Sequence, residues 1–353
     1  MIQHCESWDS IRTTTALGQV YSSVVTSAAT SWVAGDVRGF AIKHTQSETA
    51  TTWTDLFAEP NASDEYFIGF RLKADENSSN ATHILCQLFD GVTEQFQVRL
   101  RSNVGATSLN IQLLRNSGSA IGGAVSSDLP PNVTVYVEIY VKLSNTTTGA
   151  WEIRLNGVTN VSATGVSTSA SGNKKADRVT WTLDTSAIAG TYTQIKDILV
   201  LDGLAGERTD FQGDVILEDR VPDAVGFEDD WVPLAGQNYE NIDDALVADE
   251  DSSYNSSAVA TDVDLVGYSD LAYVAGQIIG VVLRARARND AAGTTSLRQL
   301  FRDPNLLANA AGATVSLTAQ TYAPVRQVWE RNPVTGDDWL VSDRAQFGYE
   351  RVT

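Results

Sequence analysis

The stretch Gln194–Leu217, QIKDILVLDGLAGERTDFQGDVIL, constrains the fold more than any other part of the chain. Ile198-Leu199-Val200-Leu201 is an apolar run stopped by Asp202-Gly203, a pair that tolerates positive φ. Such a run between turn signals is how a strand buried on both faces ends. A polar loop comes next, and Phe211 with Val215-Ile216-Leu217 predicts a second strand, so the stretch reads as a hairpin. The chain ahead of the hairpin reads as the rest of one β-sandwich. From Val221 on, the chain reads as a different domain.

The residues before the hairpin carry the same alternation. Strands are predicted at Ile2–Trp8, Val20–Val25, Arg38–Lys43, Tyr66–Lys73, His83–Phe89, Gln95–Arg101 and Leu109–Arg115, and then at Val133–Leu143, Trp151–Leu155 and Arg178–Leu183. Asp90-Gly91 and Asn156-Gly157 are hairpin turn signals, and Pro130-Pro131 marks the break before the long strand. In that strand Val135, Val137, Ile139 and Val141 point one way, and Tyr136, Glu138, Tyr140 and Lys142 the other. No apolar stripe has the 3.6-residue period of a helix. Two packed antiparallel sheets closed as a jelly roll are the expected fold of residues 1–220.

At 353 residues the chain exceeds the roughly 250–300 at which one core stops growing, so two domains are expected. The boundary is visible in the charges. Between Val221 and Leu283 there is no Lys or Arg, while acids recur from Asp223 through Asp249-Glu250-Asp251 to Asp270. Trp231, Pro233, Tyr239 and Ile242 punctuate this segment, which predicts that it is pinned to a surface. Strands are then expected at Asp262–Val266, Gly276–Arg286, Leu297–Asp303, Ala313–Tyr322, Val325–Trp329 and Phe347–Val352, a second and smaller antiparallel β-sandwich over residues 221–353. Arg284, Arg286 and Arg288 alternate, placing three guanidinium groups on one face. They are expected to meet the acidic segment or a neighbouring subunit, with an anion or sugar-acid site as the alternative.

The net charge of −19 argues against nucleic acid or an anionic membrane as partner, because both would repel it. No apolar run approaches the roughly 20 residues of a membrane span, and residues 1–20 stay polar throughout, which predicts neither membrane insertion nor a secretory signal. Cys5 and Cys86 are too few for a disulfide scaffold or a zinc site. They are expected as buried thiols, although both lie on strands of one sandwich, which leaves a bridge open.

Asp197, Val200, Asp202, Gly203, Phe211, Gly213, Asp214, Val215, Pro222, Asp223 and Gly226 form a pattern that resembles a family of tailed-bacteriophage virion proteins of tail or fibre type, with a concanavalin-like or laminin-G-like jelly roll. A second match runs from Asn332-Pro333-Val334-Thr335-Gly336 through Trp339 to Phe347-Gly348. The motifs are strand ends and turns. The resemblance implies a virion structural protein made in the host cytoplasm, with other virion proteins and host-surface glycan as partners. It also implies a homo-oligomer, a trimer by the common symmetry of phage fibres, whose second domain anchors or oligomerises the subunit. Related jelly rolls often hold calcium at a loop rim, which makes Asp202, Asp210 and Asp214 a calcium candidate. No cofactor is otherwise required.

The search for catalytic groups gives little. His4, His44 and His83 lie on strand-like stretches with no H-E-x-x-H spacing, and there is no G-x-S-x-G elbow. Glycoside hydrolases with concanavalin-like folds set two carboxylates on one strand, whereas Val135–Leu143 carries only Glu138. One carboxylate cannot serve both roles, so hydrolysis is not expected. Tyr136, Glu138 and Tyr140 have the aromatic and polar character of a carbohydrate-binding platform. The sequence therefore predicts a non-enzymatic virion protein presenting a lectin-like face. The alternatives are a capsid decoration protein and a host-glycan depolymerase.

Overall fold

The computed structural model describes residues 1–6, 21, 23–25, 27–34, 40–45, 50–57, 63–75, 81–102, 108–115, 119–169, 172, 174–185, 190–203, 208–244, 248–268, 277–303, 305–318, 320–340 and 346–353. Its contacts divide the chain into two compact units, Met1–Glu218 and Asp219–Thr353. Both are built of strands. Among the described residues the one helical element is a 3-10 turn at Asn238–Asn241.

The first unit contains β1 (Ile2–Glu6), β2 (Ser23–Val25), β3 (Thr30–Ala34), β4 (Phe40–Thr45), β5 (Thr51–Leu56), β6 (Glu65–Asp75), β7 (Thr82–Asp90) and β8 (Thr93–Ser102). It continues with β9 (Leu109–Arg115), β10 (Ser119–Val125), β11 (Val135–Lys142), β12 (Gly149–Leu155), β13 (Val158–Val166), β14 (Arg178–Leu183) and β15 (Tyr192–Asp202). One sheet runs β13-β12-β11-β6-β15-β4-β3, with β1 joined to β15 as its eighth strand. The other has seven strands in the order β10-β9-β8-β7-β14-β5-β2. Together they form the expected jelly-roll sandwich.

The alternation on β11 decides which side chains reach the interior. Val137, Ile139 and Val141 are fully buried between the sheets, where Phe70 of β6 meets Trp181 of β14 edge-on at 5.6 Å. Burying each such side chain contributes about 1.5–3 kcal/mol. Tyr136, Glu138, Tyr140 and Lys142 go to the outer face, turned away from that core. There they lie opposite Arg71, Gly69, Phe67 and Glu65 of β6.

Two turn signals are realised with a difference. Asn156 (φ 51°) and Gly157 (φ 79°) close β12 onto β13 as expected. At the other, Asp90 pairs with Thr93, so the central residues are Gly91-Val92, one position later than predicted. Gly91 supplies the positive φ of 55°.

The predicted hairpin is corrected. Its first strand is β15, but Phe211–Leu217 forms no strand; residues 208–218 are a strap laid across the outer face. β15 itself is bulged. Its pairing with β6 jumps from Lys196–Arg71 to Leu199–Gly69, and Asp197 takes a left-handed φ of 50°. Asp tolerates that conformation better than most residues, and the kink aims its carboxylate at Arg71. β3, β5, β10 and β13 were not predicted. Residues 13–20 before β2, with Trp8 and Arg38, lie outside the described residues.

The second unit contains β16 (Pro222–Asp229), β17 (Val232–Pro233), β18 (Asn255–Ser256), β19 (Val263–Tyr268), β20 (Val281–Ala287), β21 (Thr294–Asp303), β22 (Ala308–Thr318), β23 (Ala323–Trp329) and β24 (Gln346–Arg351). A five-stranded sheet runs β16-β19-β24-β21-β22, beside the ribbons β20-β23 and β17-β18. Phe301, Trp329, Trp339 and Phe347 form a buried cluster, with Ile278, Val281 and Leu283 packed against it. Gly276, where the first strand of that ribbon was expected to begin, lies outside the described residues.

Asp264 anchors the acidic segment from within. It is fully buried and accepts hydrogen bonds from Asn238 (2.8 Å), Asn255 (2.8 Å) and the Tyr349 hydroxyl (3.0 Å). Trp231 stacks edge-on against Tyr349 at 4.6 Å and donates its indole N–H to the Asp262 carbonyl. This segment is therefore pinned by an aromatic contact and a satisfied buried carboxylate. It also holds a strand that was not expected, β16.

Candidate functional site

The outer face of the eight-stranded sheet sets a row of ionisable side chains across β12, β11, β6 and β15. Arg71 on β6 is its hub. Its Nε donates to Asp197 Oδ2 (2.8 Å), and its Nη2 lies 2.7 Å from Asp214 Oδ1 and donates to the Val215 carbonyl at 3.4 Å. Lys142 Nζ lies 2.6 Å from Glu65 Oε1, and Arg154 Nε lies 2.7 Å from Glu152 Oε1.

The strap crosses these strands in turn. Over β12 and β11 the Arg154 guanidinium sits 3.7 Å from the Phe211 ring centre, while Phe211 meets Phe67 edge-on at 5.2 Å. Over β11 the Gly213 N–H donates to Glu138 Oε1 at 2.8 Å. Over β6 Asp214 and Val215 hold Arg71, and over β15 the Leu217 N–H donates to Asp197 Oδ1 at 3.2 Å. Glycine at 213 (φ 76°) lets the strap bend onto the sheet.

Beneath the strap the carboxyls are strongly perturbed. Glu138 is 3% exposed, and its Oε2 is buried with no hydrogen-bond partner among the described residues. Burial pushes its pKa above the ordinary carboxyl value, against the pull of the Gly213 amide and Arg154. Asp197 is pushed up to about 6 by burial, with Lys196, the Leu217 amide and Arg71 opposing. Glu152 goes the other way. Partial burial raises it, but the hydrogen bonds from Arg154 and Thr159 outweigh that and bring it below the ordinary value.

Register places these two glutamates together. Glu138 lies opposite Arg154, and Tyr140 lies opposite Glu152, so Glu138 and Glu152 are diagonal neighbours on one face of adjacent antiparallel strands. Tyr136 completes the group, its hydroxyl lying over β6 where only a glycine fits. A Cβ on Gly69 would come within 2.5 Å of the Tyr136 Oη.

Of the predicted residues, Tyr136, Glu138 and Tyr140 share the face as expected. Tyr136 and Glu138 are buried under the strap, however, and only Tyr140 is half-buried, packed on Phe67 at 5.0 Å. They are therefore not an open platform. The calcium trio is not brought together. Asp202 is buried, 2.7 Å from the Met1 ammonium and 2.8 Å from Gln3 Nε2. Asp210 accepts from the Phe211 amide, and Asp214 pairs with Arg71. Among the described residues no group of three His, Cys, Asp or Glu is arranged to hold a metal ion.

In the second unit Arg286 and Arg288 reach the acidic segment, at Glu250 (2.7 Å) and Asp251 (2.6 Å), and both face the Tyr322 ring. Arg284 sits across the ribbon from Arg326. The three histidines are spread over the first unit: His4 on Asp55 (2.7 Å), His44 on Thr30 (3.1 Å) and His83 near Asp184 (3.4 Å). Cys5 and Cys86 are free thiols, and burial raises the Cys86 pKa.

Sequence reasoning missed Arg71, Asp197, Glu152 and Arg154. For the last two a signal was available. Glu152 and Arg154 alternate in Trp151–Leu155, the predicted strand that follows β11 directly in the chain.

No family model matches the chain, and no curated protein matches it. Solved structures do match. An endo-β-1,4-glucuronan lyase from the fungus Trichoderma reesei is 12% identical, covers 52% of this chain and 91% of its own, and has a TM-score of 0.39. An alginate lyase is 9% identical over 56% of this chain and 95% of its own, with a TM-score of 0.39. A carbohydrate esterase from the Shiga toxin-encoding bacteriophage phi24B is 15% identical over 56% and 98%, with a TM-score of 0.36. At these values the likeness is one of fold, to jelly-roll β-sandwich proteins that are carbohydrate-active by description. Against the expectation of a non-enzymatic structural chain stand structures described as lyases and an esterase, at a likeness that shows the fold alone. The ground for that expectation also falls, because it rested on one carboxylate on Val135–Leu143, and the sheet sets Glu152 beside it.

Proposed function

We propose that the Met1–Glu218 unit is a glycan depolymerase whose chemistry takes place on the outer face of the eight-stranded sheet, around Glu138. The observation that carries this reading is the Glu138 carboxyl, buried with Oε2 unpartnered on a face otherwise saturated with hydrogen bonds and ion pairs. A carboxyl whose pKa burial raises can give its proton to the leaving oxygen of a glycosidic bond. Tyr140 and Phe211 flank it with ring surface of the kind that stacks on pyranoses. Substrate reaches Glu138 when the strap lifts, since Gly213 now covers it.

The resemblance to phage virion proteins supplies a setting for this activity, a particle that meets host-surface glycan. The test is a panel of neutral and acidic polysaccharides incubated with the full chain, scored by release of new chain ends. Glu138→Gln keeps size and shape and should lower turnover by about 10²-fold or more without shifting the thermal midpoint. Silence across the panel, or full activity in E138Q, would refute the proposal.

A further inference from the structure

Within that depolymerase reading, we infer that the unit cleaves uncharged glycan by hydrolysis, with Glu138 as the general acid and Glu152 as the general base. Two observations beyond Glu138 itself support this. The first is position. Diagonal cross-strand neighbours stand about 7–8 Å apart at the backbone, a spacing from which two glutamate side chains can reach the roughly 6.5–9.5 Å between carboxyls that leaves room for a water. Arg154 and Thr159 both donate to Glu152 Oε1, which leaves Oε2 to accept from that water. The Glu152 side chain is 22% exposed, so solvent reaches it.

The second is the state of the cations. Elimination from a uronate, or simple capture of one, requires a positive group to take the sugar carboxylate. Arg71 already holds Asp197 and Asp214, Lys142 holds Glu65, and Arg154 holds Glu152, all at 2.6–2.8 Å. An acidic sugar would meet Glu65, Glu138, Glu152 and Asp214 with their counter-charges spent, on a chain of net charge −19. Tyr136 and Tyr140, on either side of Glu138 along β11, keep their protons more tightly than a free phenol because of burial, which is the wrong direction for a base.

The step balances in atoms and charge. A water oxygen bonds to the anomeric carbon while Glu152 takes its proton, the carbon–oxygen glycosidic bond breaks, and the Glu138 proton passes to the departing hydroxyl. Glu138 ends ionised and Glu152 protonated, and exchange with solvent resets both. The opposite pKa displacements of the pair, Glu138 up by burial and Glu152 down by its hydrogen bonds, favour a protonated Glu138 beside an ionised Glu152.

The experiment is digestion of a neutral β-glucan, a neutral galactan, alginate and glucuronan in water enriched in oxygen-18, with products weighed by mass spectrometry. The expected result is cleavage of a neutral chain, with one heavy oxygen at each new reducing end. Glu152→Gln should lower kcat by about 10²-fold or more while leaving KM nearly unchanged. An unsaturated product lacking heavy oxygen, made from alginate or glucuronan, would overturn the inference while leaving the depolymerase reading standing. No cleavage of any polymer would remove both. The isotope measurement uses the unaltered chain, so it stands even where a variant folds poorly.

Discussion

Replacing Asp197 with asparagine tests whether burial or pairing governs the ionised floor of the site. Asp197 is fully buried, and its pKa rises from 3.8 to about 6, with burial outweighing Lys196, the Leu217 amide and Arg71. A carboxyl whose folded pKa exceeds its unfolded one keeps its proton to higher pH when folded. Its ionisation therefore removes stability as pH rises from about 4 to about 6. With these two values the penalty is about 1 kcal/mol at about pH 4.5 and about 3 kcal/mol at pH 7, a change of about 2 kcal/mol. Asparagine suits the left-handed φ, can accept from the Leu217 amide and carries no charge. The assay is hydrogen exchange in β6 and β15 peptides of the natural chain and of Asp197→Asn, compared at matched pH across this window. The natural chain should lose protection relative to the variant by about 2 kcal/mol, some 30-fold in exchange rate, as pH rises. A flat difference would refute the reasoning. So would the opposite slope, which would mean that Arg71 keeps Asp197 ionised and the pair stabilises the fold.

Two further perturbations act on the packing. Gly69→Ala puts a methyl into the Tyr136 hydroxyl and should cost about 1–3 kcal/mol of overpacking, visible as a lower thermal midpoint. Adding Tyr136→Phe should recover most of that loss, because the nearest oxygen is then gone. In the second unit Asp264→Ala removes the shared acceptor of Asn238, Asn255 and the Tyr349 hydroxyl, leaving the two amides their bonds to the Trp231 and Asn238 carbonyls. It should destabilise that unit by about 3 kcal/mol or more, read from the near-ultraviolet circular dichroism of the Trp231–Tyr349 pair.

The jelly roll was legible because its strands alternate Val, Ile and aromatic residues with polar ones, and because Asn156-Gly157 fixes a register without help from the rest of the chain. β3, β10 and β13 escaped notice because Thr, Ser, Ala and Gly carry too little apolar contrast to mark a face. Their strand state comes from hydrogen bonding to neighbours already in place. The strap was misread for a related reason. Val215-Ile216-Leu217 has the composition of a strand, but Asp214 and the Gly213 and Leu217 amides are drawn to Arg71, Glu138 and Asp197. A sequence shows what a segment could pair with next to it, not what polar groups await it across a sheet. The site was half visible for the same cause. Tyr136, Glu138 and Tyr140 share one strand, while Glu152, Arg71 and Asp197 come from three others, and only the register brings them together. The three aspartates of the calcium reading do not meet, and Asp202 is held instead by Gln3, a partnership that sequence distance conceals.

β1 has a consequence for how the chain must be made. Ile2–Glu6 pairs with Ile198–Leu201 in the same sheet where β4 and β6 also flank β15, and Gln3 bonds to a residue 199 positions later. Among the described residues β1 therefore has no ladder to join until nearly the whole unit has been made. Such long-range closure is slow, because chain entropy must be lost before any contact compensates. During synthesis β1 waits as an unpaired edge, and β15 is the piece that closes the sheet around it. The strands of the first unit and the closure of its eight-stranded sheet thus end at the same strand, from which the strap runs out over the face that β15 has just completed.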